Sequence, residues 1–170
     1  MELIIFSFLA IIAVISALVT IIQRNPVHSA VALIICFLSL AGLFLLLNAQ
    51  FIAAIQVIIY AGSIMVLFLF VIMLLDLRKE ELEQKRKFSL RFAAILLILV
   101  LLIEFILIAK TTILSGTPGI WTAEQINTVG NTQVIGTILF ANYLYPFEIV
   151  SVLLLVALIG AIILGKRRLD

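Results

Sequence analysis

Few residues of this 170-residue chain are equipped for chemistry, and they stand singly within long apolar runs. Gln56, Tyr60 and Ser63 are separated by four and three positions, so a regular α-helix places them on one stripe with Val, Ile, Leu and Phe around the rest. Polar groups are costly against lipid, so such a stripe faces other helices or water. Two uses fit it. One is interhelical hydrogen bonding, worth ~0.6 kcal/mol per contact in lipid; the other is a path for water and protons. Glu104 is the one acid deep inside an apolar run. A lone carboxylate there favours its protonated form, and it serves either as a proton relay or as a structural acid bonded to a partner. Lys110, six positions on, is not on the same turn and does not offer an intrahelical ion pair. Glu148 follows Pro146-Phe147 and reads as an acid in the first turn of the last helix, where the helix dipole favours it, with a functional acid as the alternative.

Other chemistry is absent from the pattern. The single cysteine, Cys36, has no second thiol for a disulfide or a cysteine metal site, and the single histidine, His28, stands at a segment boundary as a helix-end polar residue. There is no nucleophile–base pair, phosphate loop or metal-ligand cluster, so the expectation is a chain with no catalytic residue, metal or cofactor of its own. The net charge is +2 and the basic residues form no face interleaved with aromatics, which argues against nucleic acid as a partner.

The elements that hold these residues follow from composition. Hydrophobic residues make up 65% and charged residues 12%, with a mean hydropathy of +1.38, against roughly 25% charged residues in a soluble domain. Charges gather in short blocks between apolar runs, so lipid is the main solvent. The predicted fold is all-α and polytopic, with five transmembrane helices at about 3–22, 27–47, 51–75, 90–110 and 147–165, each near the ~20 residues that span the bilayer. The first opens with Met1-Glu2 and not with a basic region, and is read as a retained helix. Asn25 can cap the second helix and Pro26 suits its first turn, while Asn48-Ala49-Gln50 makes an equally short second connection, so the first three helices are expected as antiparallel neighbours. The block 76–91 alternates acids and bases at helical spacing, as a solvated helix extension does. Residues 111–145, with Pro118-Gly119 and Trp121, are expected to be a connection lying along the membrane surface.

Ten of the eleven Lys and Arg residues fall on one side of this topology and only Lys110 on the other. Positive charge is retained in the cytoplasm, which sets the N-terminus outside, the C-terminus inside, 76–91 cytoplasmic and 111–145 periplasmic. Within the third run, Ala61-Gly62-Ser63 reads first as small residues for close helix packing, with a π-bulge as the sharper alternative, since Gly commits weakly to regular helix. The run of 25 residues has length for an irregular turn or for tilt. From the residues alone, two classes remain: a subunit of an energy-coupling assembly, or a small autonomous transporter. The inverted repeats and paired broken helices of transporters are missing, which favours the assembly.

The run Asn25-Pro26-Val27-His28-Ser29-Ala30, with Leu38-Ser39-Leu40-Ala41-Gly42-Leu43 after it, resembles the second helix of the subunit J family of bacterial NADH:quinone oxidoreductase, respiratory complex I, whose mitochondrial counterpart is NADH dehydrogenase subunit 6. The stretch from Gln56 through Tyr60-Ala61-Gly62-Ser63 to Leu75 is similar to that family's signature almost residue for residue, and Gly136 to Phe140, Phe147-Glu148 and Ser151 to Leu155 resemble its last helix and the approach to it. The resemblance implies a membrane-arm subunit in a bacterial inner membrane, beside subunits homologous to A, H and K, that helps couple quinone reduction to proton pumping. NADH, FMN, iron–sulfur clusters and quinone would be bound by other subunits. It further implies a π-bulge between Tyr60 and about Phe68 that converts to regular helix and turns Val66 and its neighbours relative to a hydrated path lined by Gln56. Some relatives carry glutamate at the position of Gln56. Within the family, a related quinone-reducing complex fed by ferredoxin or F420 is the alternative.

Overall fold

The structure is a computed structural model that describes residues 1–75, 88–115 and 121–166, and its secondary structure there is helical, with no strand among the described residues. Helix α1 runs over Glu2–Ile22 and ends where Gln23 turns extended. Helix α2, Pro26–Leu46, starts as its sequence dictates: the Asn25 side chain accepts a hydrogen bond from the Val27 amide at 3.0 Å, and Pro26 fills the first turn, where no intrahelical partner for an N–H exists.

Small residues set the spacing of this hairpin. Ala13 and Ser16 on α1 and Ala32, Cys36 and Ser39 on α2 are buried, and the Cys36 thiol reaches the Ala13 carbonyl at 3.5 Å. The Ser29 hydroxyl donates to the Thr20 carbonyl across the hairpin. Gly42 lies under Leu9, where an added methyl would come within 2.9 Å of the leucine Cδ1 and the flexible end of that side chain would have to move aside. Such close packing replaces the hydrophobic driving force that is missing between helices in lipid.

Helix α2 then packs against the third apolar run. The intervening turn uses Asn48 at φ 57, a left-handed conformation that Asn tolerates better than most residues. The third run comprises α3 (Gln50–Ile55), a π-helical segment (Gln56–Ile64) and α4 (Met65–Leu74). Most of the charged block, residues 76–87, lies outside the described residues, as do Pro118-Gly119 and Arg167-Arg168. Helix α5, Phe88–Ser115, is longer than the 90–110 expected.

The expected connection 111–145 contains helices of its own. Its first residues continue α5, and beyond Trp121 come α6 (Ala123–Val129) and α7 (Asn131–Asn142), with α8 beginning at Leu144 and ending at Gly165. Helix α6 is held by a capping box: the Thr122 hydroxyl accepts from the Gln125 amide at 3.3 Å, and the Gln125 side chain accepts from the Thr122 amide at 3.0 Å. Gly130, at φ 99, makes the joint between α6 and α7. Pro146 sits in the first turn of α8, where proline is tolerated, so the helix starts three residues before the expected 147.

Among the described residues, four segments are long and apolar enough to cross a bilayer: Glu2–Ile22, Pro26–Leu46, Gln50–Leu74 and Leu144–Gly165. A shorter apolar stretch, Leu96–Ile108, lies within α5. Buried apolar side chains among the described residues are mostly alanines, with Cys36, Met65 and Val134, whereas no residue of α8 is buried.

Candidate functional site

The third run carries the polar stripe singled out for chemistry, Gln56, Tyr60 and Ser63, and its backbone changes register among them. From Gln56 to Ile64 the hydrogen bonding is π-helical, and at the far end the Met65 amide still donates to the Tyr60 carbonyl, five residues back. The Ser63 hydroxyl follows the same register, donating to the Ile58 carbonyl at 3.1 Å. An α-helix would offer the carbonyl four residues back.

This register decides which side chains face α2. The buried positions are Ala53, Gln56, Ala61 and Met65, at spacings of three, five and four. A spacing of five has no place in a regular α-helical face; it marks the extra residue of the π turn. The expected single stripe of Gln56, Tyr60 and Ser63 is therefore divided. Gln56 is buried at 9% exposure, while Tyr60 and Ser63 are exposed because Ala61 takes the position that regular helix would give to Tyr60. Tyr60 still touches α2 through an edge-to-face contact with Phe37, ring centroids 5.7 Å apart at 69°.

The irregular segment also starts and ends earlier than the expected Tyr60 to Phe68. It begins at Gln56, and Met65 to Phe68 belong to regular α4. Gly62 lies inside it, exposed; a methyl group there would stand 3.2 Å from the Val57 carbonyl oxygen, a tight contact that asks the backbone to give by a few tenths of an ångström. Val66 and Phe68 follow on the exposed surface of α4.

Gln56 differs from the other buried polar residues. The Ser16 and Ser39 hydroxyls donate to carbonyls of their own helices, at Ile12 and Ile35. The Gln56 amide makes no hydrogen bond to another described residue, and none of its polar atoms is sealed from the surface. Two donors and an acceptor function are thus free to bind water at the face between α2 and the π segment.

The two acids are not brought to this place. Glu104 is exposed on α5 and Glu148 is exposed on α8. Because α8 begins at Leu144, Glu148 stands in its second turn, beyond the helix end where the dipole acts, which corrects the reading of a first-turn acid. Among the described residues no three His, Cys, Asp or Glu side chains are grouped to hold a metal ion.

Sequence reasoning missed Asn131. Its side chain accepts a hydrogen bond from the Phe51 amide at 3.1 Å, eighty residues away, and no local pattern announces such a pair.

A family of proteins described as NADH-ubiquinone/plastoquinone oxidoreductase chain 6 matches residues 16–164. Among individual relatives, NADH-quinone oxidoreductase subunit J of Rhodobacter capsulatus is 38% identical, covering 96% of this chain and 81% of the relative. NAD(P)H-quinone oxidoreductase subunit 6 of the organellar chromatophore of Paulinella chromatophora is 43% identical over 99% of this chain and 80% of its own length. NADH-ubiquinone oxidoreductase chain 6 of Marchantia polymorpha is 36% identical, covering 97% of this chain and 87% of the relative.

Proposed function

Since the chain belongs to the NADH-ubiquinone/plastoquinone oxidoreductase chain 6 family, which includes subunit J of bacterial NADH-quinone oxidoreductases, we propose that it is a membrane-arm subunit of a proton-translocating complex of this kind. In this reading it contributes no active site. It crosses the inner membrane of a bacterium five times, with α5 as the fourth crossing, the N-terminus outside and the C-terminus inside. NADH, FMN, iron–sulfur clusters and quinone are held by other subunits, and those homologous to A, H and K are its neighbours.

Its contribution to coupling is the third span, acting as a switch beside a hydrated path. The observation that carries this reading is the π-helical segment Gln56–Ile64. Losing one π turn rotates the flanking helix by about 100°, given 3.6 residues per turn. That rotation would exchange Ala61 for Tyr60 on the face against α2 and carry Val66 and Phe68 around with it. A bulky ring and apolar side chains then enter or leave the water path beside Gln56, so the gate is steric and hydrational and requires no titrating group.

Gly62→Ala tests the switch. Alanine is favoured over glycine in regular helix by ~1 kcal/mol, about a fivefold bias toward the unbulged form, and the added methyl crowds the Val57 carbonyl. The expected result is an assembled complex that still reduces quinone but moves fewer protons per electron. Normal coupling in the assembled variant, with the third span in one form in every resolved state, overturns the switch.

A further inference from the structure

Helix α3 begins without a cap of its own. Its N-cap residue is Ala49, which has no side-chain acceptor, and the helix runs only six residues before the π segment starts. The Phe51 amide is one of the first-turn donors that have no partner within a helix. Its acceptor is the Asn131 side-chain oxygen, 3.1 Å away. That is the bond an N-cap asparagine normally makes to the second residue of its own helix. Here it comes from a different helix.

The placement of Asn131 is built. Gly130, at φ 99, adopts a backbone that other residues reach only under strain, and Asn131 is the first residue of α7 immediately after it. One turn further on, Val134 is the buried residue of α7, at 5% exposure, and α7 packs against α3. The glycine, the amide and the valine together dock the start of α7 on the start of the third span.

We propose that Asn131 is a positioning residue for the switch: it caps the third span in trans and holds the N-terminal end of that span fixed. The proposal rests on the reading of the third span as a switch. Converting the π turn to α only specifies that the two flanks rotate relative to each other; which flank moves depends on which is held. The N-terminal flank is held by Asn131, by the buried Ala53, and by the turn whose Asn48 and Ala49 amides donate back to Leu45 and Phe44 of α2 at 3.0 Å each. The C-terminal flank likewise buries one residue, Met65, and packs against α2, but no hydrogen bond ties its described residues to another helix, and it gives way to extended backbone at Leu75. Rotation is thereby directed into α4, and a span freed at its N-terminus would dissipate part of it at the wrong end.

The test uses the whole complex carrying Asn131→Ala, Asn131→Asp or Gly62→Ala. Aspartate keeps the acceptor and caps as well as asparagine. Hydrogen–deuterium exchange over residues 50–55 reads the cap, and protons moved per electron read the switch. Asn131→Ala is expected to raise exchange at Phe51 on the order of fivefold, matching the loss of a typical cap, and to lower the proton yield while electron transfer continues, with Asn131→Asp restoring both. Unchanged exchange in Asn131→Ala, or faster exchange with a normal proton yield, overturns the proposal. Should Asn131→Ala fail to assemble, an Asn131→Asp complex with native exchange and proton yield supports it, and failure of both variants overturns it. Normal coupling in Gly62→Ala sinks the switch and leaves the cap to the exchange measurement. Impaired Gly62→Ala beside a normal Asn131→Ala sinks the anchor alone.

Discussion

A glutamine amide removed from bulk water is unfavourable until something hydrogen-bonds to it. Gln56 is placed in that position on the face against α2, with no partner among the described residues. Water is the partner that the proposed hydrated path would supply. Leucine has a similar volume and removes the amide, and replacing a polar group that lacks a protein partner is nearly neutral for stability. Gln56→Leu is thus expected to leave assembly and thermal stability within about 1 kcal/mol of the native complex and to reduce proton translocation severalfold, measured as pumped protons per electron in vesicles. Gln56→Glu, which still orders water, is expected to retain most of it. Glu104 makes the opposite case. It lies on α5, away from the π segment, and its exposed side chain joins no described polar group of the site. Glu104→Gln is nearly isosteric and is expected to keep most pumping in the assembled complex; loss of pumping with assembly intact would make Glu104 a relay.

The joints between helices carry the backbone strain. Asn48 holds φ 57 in the turn before α3, so Asn48→Gly is expected to be tolerated, whereas Asn48→Val carries ~1–2 kcal/mol of left-handed strain. Gly130 at φ 99 is stricter, and Gly130→Ala is expected to destabilise the docking of α7 by about 1–3 kcal/mol. Thermal unfolding of the detergent-solubilised complex, with native and variant compared, checks both. These same joints separate what was legible in the sequence from what was not. Asn25-Pro26 announced the start of α2 because cap and proline act within three residues. Thr122 and Gln125 carried an equally local capping box, a readable signal for α6 that the abundance of Thr, Gly and Asn in 111–145 obscured. Ala61-Gly62-Ser63 left close packing and an irregular turn both open, and only the family resemblance pointed to the turn; its limits stayed out of reach because spacing counts presuppose 3.6 residues per turn and the π turn breaks that count between Gln56 and Ala61. Asn131 was beyond reach: the alanine at position 49 signals a missing cap, but only the fold says which residue supplies it.

At the scale of the molecule, topology is the first question, and the proposed five crossings make a direct claim about two serines. With Cys36 replaced by alanine, Ser115→Cys is expected to react with an impermeant thiol reagent added from outside, and Ser89→Cys only after the membrane is opened. Reaction of both from outside rejects the arrangement. The burial pattern then has a consequence for the life of the protein in the cell. Helix α8 contributes no buried residue, and every described side chain from Leu96 to Ile108 on α5 is exposed, so this chain alone is a hairpin-and-span nucleus with two long helices in search of neighbours. In the proposed assembly, folding and association would be one continuous process, because part of the free energy that fixes α5 and α8 would come from neighbouring subunits. Copies synthesised in excess of available places remain only partly organised, and partly organised chains are what proteases clear. The steady-state amount should therefore track the supply of places and not the rate of translation: doubling expression of this chain alone leaves its abundance nearly flat and shortens its half-life.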